Sequence, residues 1–266
     1  MKQKINMVGG GFQHEVCSSA GSIPKLIEWV KGAHTAPISI HIDSGISNIK
    51  VNKNKKNYAW LSESKTIIGG VYKWCINNLD YLNSNFELIF THDKSLLPLS
   101  NKFKLVICNA RPWVKECGVH KKSKEISMIA SSKVMCDEHR YRQKIINKFK
   151  NKLDLYGRGF NPINIKDVGL KDYRFSIAME NGDYSLMYTE KITDCFAMGT
   201  IPIYYGSNDI CEVFDSNGII TLNDSFKISD LNKDLYESKM SSIRKNYEIT
   251  MNMQTVEDYI YENFIK

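Results

Sequence analysis

Between Tyr173 and Ser207 the chain alternates apolar runs with polar stretches, and the alternation predicts a strand, a polar loop, a capped helix and a second strand. Tyr173 to Met179 interleaves aromatic or aliphatic residues with smaller ones, the pattern of a mostly buried strand. Glu180, Asn181, Gly182 and Asp183 follow, so polar groups stand at its carboxyl end, where open α/β sheets bind ligands. Thr189 suits an N-cap, Glu190 and Lys191 open the helix, and Ile192, Cys195 and Phe196 give it an apolar face. Gly199 suits the stop, Pro202 cannot continue a helix, and Ile201 to Tyr205 reads as the next strand.

Similar patterns run through the rest of the chain. Lys4 to Val8 predicts a first strand, Gly9-Gly10-Gly11 a tight turn, and Ser22 to about Lys31 a helix. Strands are expected at Ile38 to Ile42, Tyr58 to Leu61, Phe86 to Phe90 and Leu105 to Cys108, with a helix over Thr66 to Leu79. A second series opens with a strand at Ile126 to Ala130, a helix from Asp137 (its expected N-cap) to about Lys150, and a strand at Leu153 to Gly157. Beyond the central stretch come a short helix at Asn208 to Phe214, a strand at Gly218 to Leu222, and amphipathic helices over Leu231 to Asn246 and Val256 to Ile265. The polar, basic run Lys115 to Glu125 reads as a linker. It divides the chain into residues 1–120 and 121–266, with the last helix expected to pack back on the first domain. No internal repeat is present, and the glycine turn lacks the G-x-G-x-x-G spacing of a dinucleotide fingerprint.

Composition narrows the class. The chain has 266 residues, 42% hydrophobic and 24% charged, enough for a sizeable core without staples. No apolar run reaches the roughly 18–20 residues that span a bilayer, and the first residues lack a signal-peptide core; a soluble, cytoplasmic protein is expected. The seven cysteines are odd in number and never spaced C-x-x-C, which favours reduced thiols. There is no H-E-x-x-H and no D-x-D, so no metal is expected and an anionic substrate would be neutralised by Lys and Arg. The formal charge of +7 allows nucleic acid, an anionic membrane or anionic small ligands as partners. The lysines are scattered without interleaved aromatics, so nucleic acid is not expected.

Candidate chemistry sits at predicted strand and helix ends. A helix N-terminus carries free N–H groups and about half a positive charge, which favours phosphate; Lys191 adds a full charge there. Glu190 would accept from sugar hydroxyls, and Asn181 can both donate and accept. That set suits a sugar nucleotide, but it is equally an ordinary strand–helix–strand unit with a Glu–Lys pair at its cap. Glu63, after the Tyr58 to Leu61 strand, is a candidate proton acceptor or a cap for the following helix, with Asp43 and Asp93 next in line. His41 and Asp43 either line a cleft or only hydrogen-bond at their strand end. Trp113 either stacks on a sugar or fills a core gap.

Three blocks then act together: Glu180-Asn181, Tyr188-Thr189-Glu190-Lys191, and Gly199-Thr200-Ile201-Pro202-Ile203-Tyr204-Tyr205-Gly206-Ser207. In order and spacing they resemble the signature of the α1,3/α1,4-fucosyltransferase family (glycosyltransferase family 10), with Met179 where that family usually has Phe. The resemblance is close over about Ile126 to Leu222 and weak before it. It implies a GT-B-like α/β fold: two Rossmann-like α/β domains with the active site in the cleft between them. It implies an inverting glycosyltransferase that moves L-fucose from GDP-fucose to a glycan hydroxyl, with Glu63 as general base. Counting back from Tyr156-Gly157 puts the family's phosphate-binding arginine on Arg142, with Arg140 the nearby competitor. Asn181, Glu190 and Lys191 would hold the rest of the nucleotide, and Tyr156, Gly157, Glu180, Tyr188 and Trp113 are further cleft candidates. Animal members of the family usually carry an N-terminal membrane anchor, and none is expected from the residues read here. No residue in these motifs selects fucose, so a related transferase with another nucleotide-sugar donor stays open. So does a non-catalytic nucleotide-sugar or glycan-binding protein, and the oligomeric state.

Overall fold

The computed structural model describes residues 1–10, 16–32, 35–107, 110–182 and 185–266, and in it the apolar runs pair into two parallel sheets. Gly11, Cys108 and Asp183, named above in turns and strand ends, lie outside the described residues. The α/β class expected from the sequence is the one observed. The chain divides into two compact units: Met1–Ala110 with Tyr184–Met187 and Gln254–Lys266, and Arg111–Asp183 with Tyr188–Met253. No helix among the described residues is long and apolar enough to cross a membrane.

The first unit contains β1 (Gln3–Val8), β2 (Ile27–Lys31), β3 (Ile38–Ile42), β4 (Lys56–Leu61), β5 (Ile89–Thr91) and β6 (Phe103–Leu105). They pair in the order β2-β1-β3-β4-β5-β6, every neighbour parallel. Side chains alternate across the sheet, as the pleat requires. Ile5, Ile40, Ile42 and Trp60 pack on one face with Val256 and Ile260 from the end of the chain. Ala59, Leu61 and Ile89 pack on the other against α1 (Ser44–Asn48), α2 (Gly69–Asn77) and α3 (Leu79–Asn85) through Ile46, Tyr72, Cys75 and Leu82. A sheet covered on both faces needs apolar residues at consecutive positions, and β3 is buried along its whole length.

Two elements of this unit differ from expectation. Ser22 to Lys31 is not a helix: its second half is β2, beside β1. The N–H groups of Lys25 and Leu26 donate to the Asp258 carboxylate at 2.7 and 2.8 Å, so a residue more than two hundred positions away holds this backbone extended. The helix expected over Thr66 to Leu79 begins only at Gly69, and α3 follows after Asn78.

In the second unit β7 (Lys124–Ile129), β8 (Asp154–Tyr156), β9 (Tyr173–Met179), β10 (Ile201–Tyr205) and β11 (Ile220–Thr221) form a parallel sheet of order β11-β10-β9-β7-β8. Like β1 to β3, its first three strands place the second outside the first and the third on the opposite side. The chain therefore reverses direction of winding between β7 and β9, leaving a crevice at their carboxyl ends. The helices are α4 (Asp137–Phe149), α5 (Glu190–Ala197), α6 (Lys233–Ser238) and α7 (Met240–Asn252), the last two replacing one predicted helix broken at Lys239. Asp137 does not cap α4; Cys136 holds that position without a side-chain bond, and Asp137 pairs with Arg140 instead. α5 ends as read, with Gly199 at φ 64°.

The run read as a linker belongs to this unit from Arg111 onward. Asp194 accepts from the N–H groups of Trp113 and Val114, at 2.5 and 3.1 Å. Asp167 accepts from those of Lys115 and Glu116, at 3.1 and 2.8 Å. Buried carboxylates satisfy the backbone of a segment with too few apolar residues to fix itself.

Candidate functional site

The N-terminus of α5 is built by Glu180. Its buried carboxylate accepts from the N–H and hydroxyl of Thr189, at 2.8 and 2.7 Å, and from Lys191 Nζ at 3.2 Å. The Thr189 hydroxyl in turn accepts from Lys191 Nζ at 2.9 Å and caps the helix. Glu180 is thus a strut inside the protein rather than a group facing a ligand. Burial pulls the Lys191 pKa down, and the Glu180 and Glu190 carboxylates outweigh it, so the ammonium is held charged.

At the crevice between β7 and β9 lies a cavity of about 280 Å³. The ends of β7 and β9, the turn after β8, and residues of α4 and α5 line it, among them Arg142, Gly157, Glu190 and Lys191. Four of the predicted site residues therefore meet there. Gly157 has φ 110°, and a Cβ on it would stand 2.1 Å from the carbonyl oxygen of Ala130, so only glycine brings this turn against β7.

Arg142 is 7% exposed. One guanidinium nitrogen donates to the Lys133 carbonyl at 3.1 Å and, more weakly, to Ser131 at 3.4 Å. Nε has no partner, and among the described residues no carboxylate pairs with the group. Desolvation lowers its pKa. Arg140, by contrast, is exposed and bound to Asp137 at 2.6 Å. Of the two arginines left open by the sequence, Arg142 is the one that faces the cavity.

The opposite charge gathers around Lys166, which sequence reasoning did not single out. Its ammonium is 3.1 Å from Glu190 Oε1 and 2.7 Å from Asp194 Oδ2, and lies 4.6 Å from the centre of the Trp113 ring. All three charged groups line the cavity. Burial raises the Glu190 pKa, but Lys191 and Lys166 overcome this and hold it at about 2. Burial lowers the Lys166 pKa, and its two carboxylates more than restore it. At Asp194 burial wins over the pull of Lys166, and the shift is upward. Trp113 thus has the Lys166 ammonium over its ring.

Asn181 sits at the end of β9 beside His139 of α4. The N–H of Met135 donates to His139 Nδ1 at 3.1 Å, so the neutral ring carries its proton on Nε2 and donates to Asn181 Oδ1, also at 3.1 Å. Burial, then the neighbouring Arg142, lowers the His139 pKa and favours that neutral form. The His139 bond uses one of the two acceptor positions of the Asn181 carbonyl and leaves its two amide protons for a ligand. Tyr188 is fully buried, edge-on to Phe214, and Tyr156 shares a hydroxyl bond of 2.7 Å with Tyr173. Neither lines the cavity.

In the first unit, Glu63 follows β4. Its Oε1 accepts from the N–H of Ser64 at 2.7 Å, while α2 starts later, at an N-cap position held by Ile68 without a side-chain bond. Asp43 shapes the turn that carries it: its carboxylate accepts from the N–H groups of Ser62 and Glu63 at 2.8 and 3.2 Å. Asp43 has φ 48°, a conformation rare outside glycine, and burial lifts its carboxyl to about 6. Asp93 caps a turn by accepting from Ser95 at 2.9 Å, and His41 is buried with Nδ1 3.1 Å from the Gly45 carbonyl.

Residues 119–252 match the family model described as glycosyltransferase family 10 (fucosyltransferase), C-terminal. Over 108 residues, 40% of this chain, the sequence is 31% identical to the α-(1,3)-fucosyltransferase FucT of Helicobacter pylori, a match spanning 22% of that protein. A solved α1,3-fucosyltransferase with GDP is similar with a TM-score of 0.55 at 13% identity, over 97% of this chain and 92% of that one. The TarM structure is similar with a TM-score of 0.51 at 12% identity, over 84% of this chain and 53% of that one. At these identities the likeness is one of fold, the GT-B fold of two parallel α/β sheets.

Proposed function

The chain belongs to glycosyltransferase family 10, the fucosyltransferase family, and on that premise we propose that it transfers L-fucose from GDP-fucose to a hydroxyl of a glycan acceptor, with inversion. The observation that carries the donor part is Arg142. A buried guanidinium without a carboxylate is an uncompensated charge, which costs several kcal/mol. An anion in the cavity removes that cost, and a planar fork suits two phosphate oxygens at once. Lys191, held charged at the start of α5, lines the same cavity and would share the diphosphate charge. Asn181 would donate its amide protons to a phosphate, and Glu190 would accept from the ribose.

In the reaction the acceptor oxygen attacks the anomeric carbon as the bond to the β-phosphate breaks. GDP departs with the bonding pair, stabilised by Arg142 and Lys191. The acceptor proton passes to a carboxylate, for which Glu63 is the candidate. No metal step is required for this charge balance, and transfer is expected to survive EDTA.

Melting curves with GDP, UDP and ADP test the donor reading. A nucleotide at 100 times its Kd adds about 2.7 kcal/mol, and GDP is expected to raise Tm well above the other two. Equal shifts with all three would remove the guanine assignment, and no shift with any would remove the nucleotide site.

A further inference from the structure

Glu190 and Asp194 lie four residues apart on one face of α5 and both line the cavity. Two like charges at that spacing repel, yet both are buried, and Lys166 stands between them at 3.1 and 2.7 Å. The lysine is held from below by the Trp113 ring, and Trp113 by its own N–H to Asp194. Trp113, Lys166 and Asp194 therefore form a closed ring of contacts, with Glu190 held to it through Lys166, drawn from three separate stretches of sequence.

This ring gives the cavity two chemically different ends. One ammonium against two carboxylates does not attract phosphate, whereas Arg142 has no anion of its own among the described residues. Lys166 occupies Glu190 Oε1, and a carboxylate offers about four acceptor positions over its two oxygens. Capacity for neighbouring hydroxyls remains, in an orientation the lysine fixes.

We propose that Lys166 is a positioning residue that holds Glu190 as the acceptor for the vicinal hydroxyls of the donor's ribose, making the cavity selective for ribonucleotides. This rests on the donor-site reading above and names the part of the nucleotide that Glu190 and its support recognise.

Titration calorimetry of GDP and 2′,3′-dideoxy-GDP against the wild-type chain, Lys166→Met, Lys166→Arg and Glu190→Gln tests it. The wild type is expected to prefer GDP by roughly 10- to 100-fold, the range for hydrogen bonds to a charged acceptor. Lys166→Met should lose most of that preference by weakening GDP alone, and Lys166→Arg should restore it. Glu190→Gln, nearly isosteric, should lose it too. A variant Lys166→Met that weakens both nucleotides equally would overturn the inference, because a phosphate contact or a general structural role acts on both. So would a Glu190→Gln chain that keeps the preference, a reading available even if the lysine variant does not fold. A wild type that binds the two nucleotides alike overturns this inference and leaves the donor site standing; one that binds neither overturns both.

Discussion

A single buried guanidinium decides between two arginines two positions apart. Arg140 spends its charge on Asp137 in solvent, a surface pair worth little. Arg142 is buried without an anion among the described residues. Replacing Arg142 with Met should weaken GDP by about 10- to 150-fold, the equivalent of roughly 1.5–3 kcal/mol for a charge-assisted contact. The same change should leave Tm of the ligand-free protein unchanged or higher, since an apolar side chain replaces an unpaired charge. Arg140→Ala should change neither quantity. Calorimetry and melting curves read both, and a large GDP loss from Arg140→Ala would reassign the phosphate contact. The sequence narrowed this choice to two residues but could not finish it, because helical spacing does not say which arginine the sheet covers. Lys166 and His139 carried no signal at all: each acts through residues more than twenty positions away. Tyr188 misled for the opposite reason. A motif position tells that a tyrosine is needed, and here the need is for packing against Phe214.

Among elements, β9, α5 and β10 follow the sequence reading to their ends because each boundary has a local cause. Thr189 caps α5, Gly199 stops it and Pro202 keeps the chain extended. β2 failed because its cause is distant: the Asp258 carboxylate takes two N–H groups that a helix would have used. The turn after β8 is local again, and its constraint is steric. Gly157→Ala would put a Cβ 2.1 Å from the Ala130 carbonyl oxygen at φ 110°. The conformation alone costs roughly 1–3 kcal/mol, and the clash is with backbone, which cannot rotate away. Urea unfolding should show at least that loss, together with weaker GDP binding, since β7 and this turn both line the cavity. Gly69→Ala, at the start of α2 with no atom within 4 Å of the added methyl, should stabilise by a few tenths of a kcal/mol or more. A neutral Gly157→Ala would show that the turn has another conformation available.

Over the whole molecule the chain order and the units do not coincide. The segment Gln254–Lys266 belongs with residues 1–110, and Glu257 accepts from the N–H of Ser18 at 2.6 Å within that unit. The residues argued to bind nucleotide all lie in the second unit, and Glu63 lies in the first. Nucleotide affinity and proton transfer can therefore be separated by mutation. A sugar hydroxyl is a weak nucleophile at neutral pH and must lose its proton as the new bond forms. Glu63→Gln keeps the size of the side chain and an oxygen for the Ser64 N–H, but it cannot take that proton. Loss of a general base lowers the rate by about 10²- to 10⁴-fold. Transfer from GDP-fucose should fall by that factor while the Kd for GDP stays the same. Full transfer by the variant would remove Glu63 from the mechanism and turn attention to Asp43, whose carboxyl, raised to about 6 by burial, shapes the same turn. A parallel loss of GDP affinity would instead tie Glu63 to the donor. A wild type that binds GDP-fucose and transfers it to no acceptor would mark the chain as a binding protein on a transferase fold.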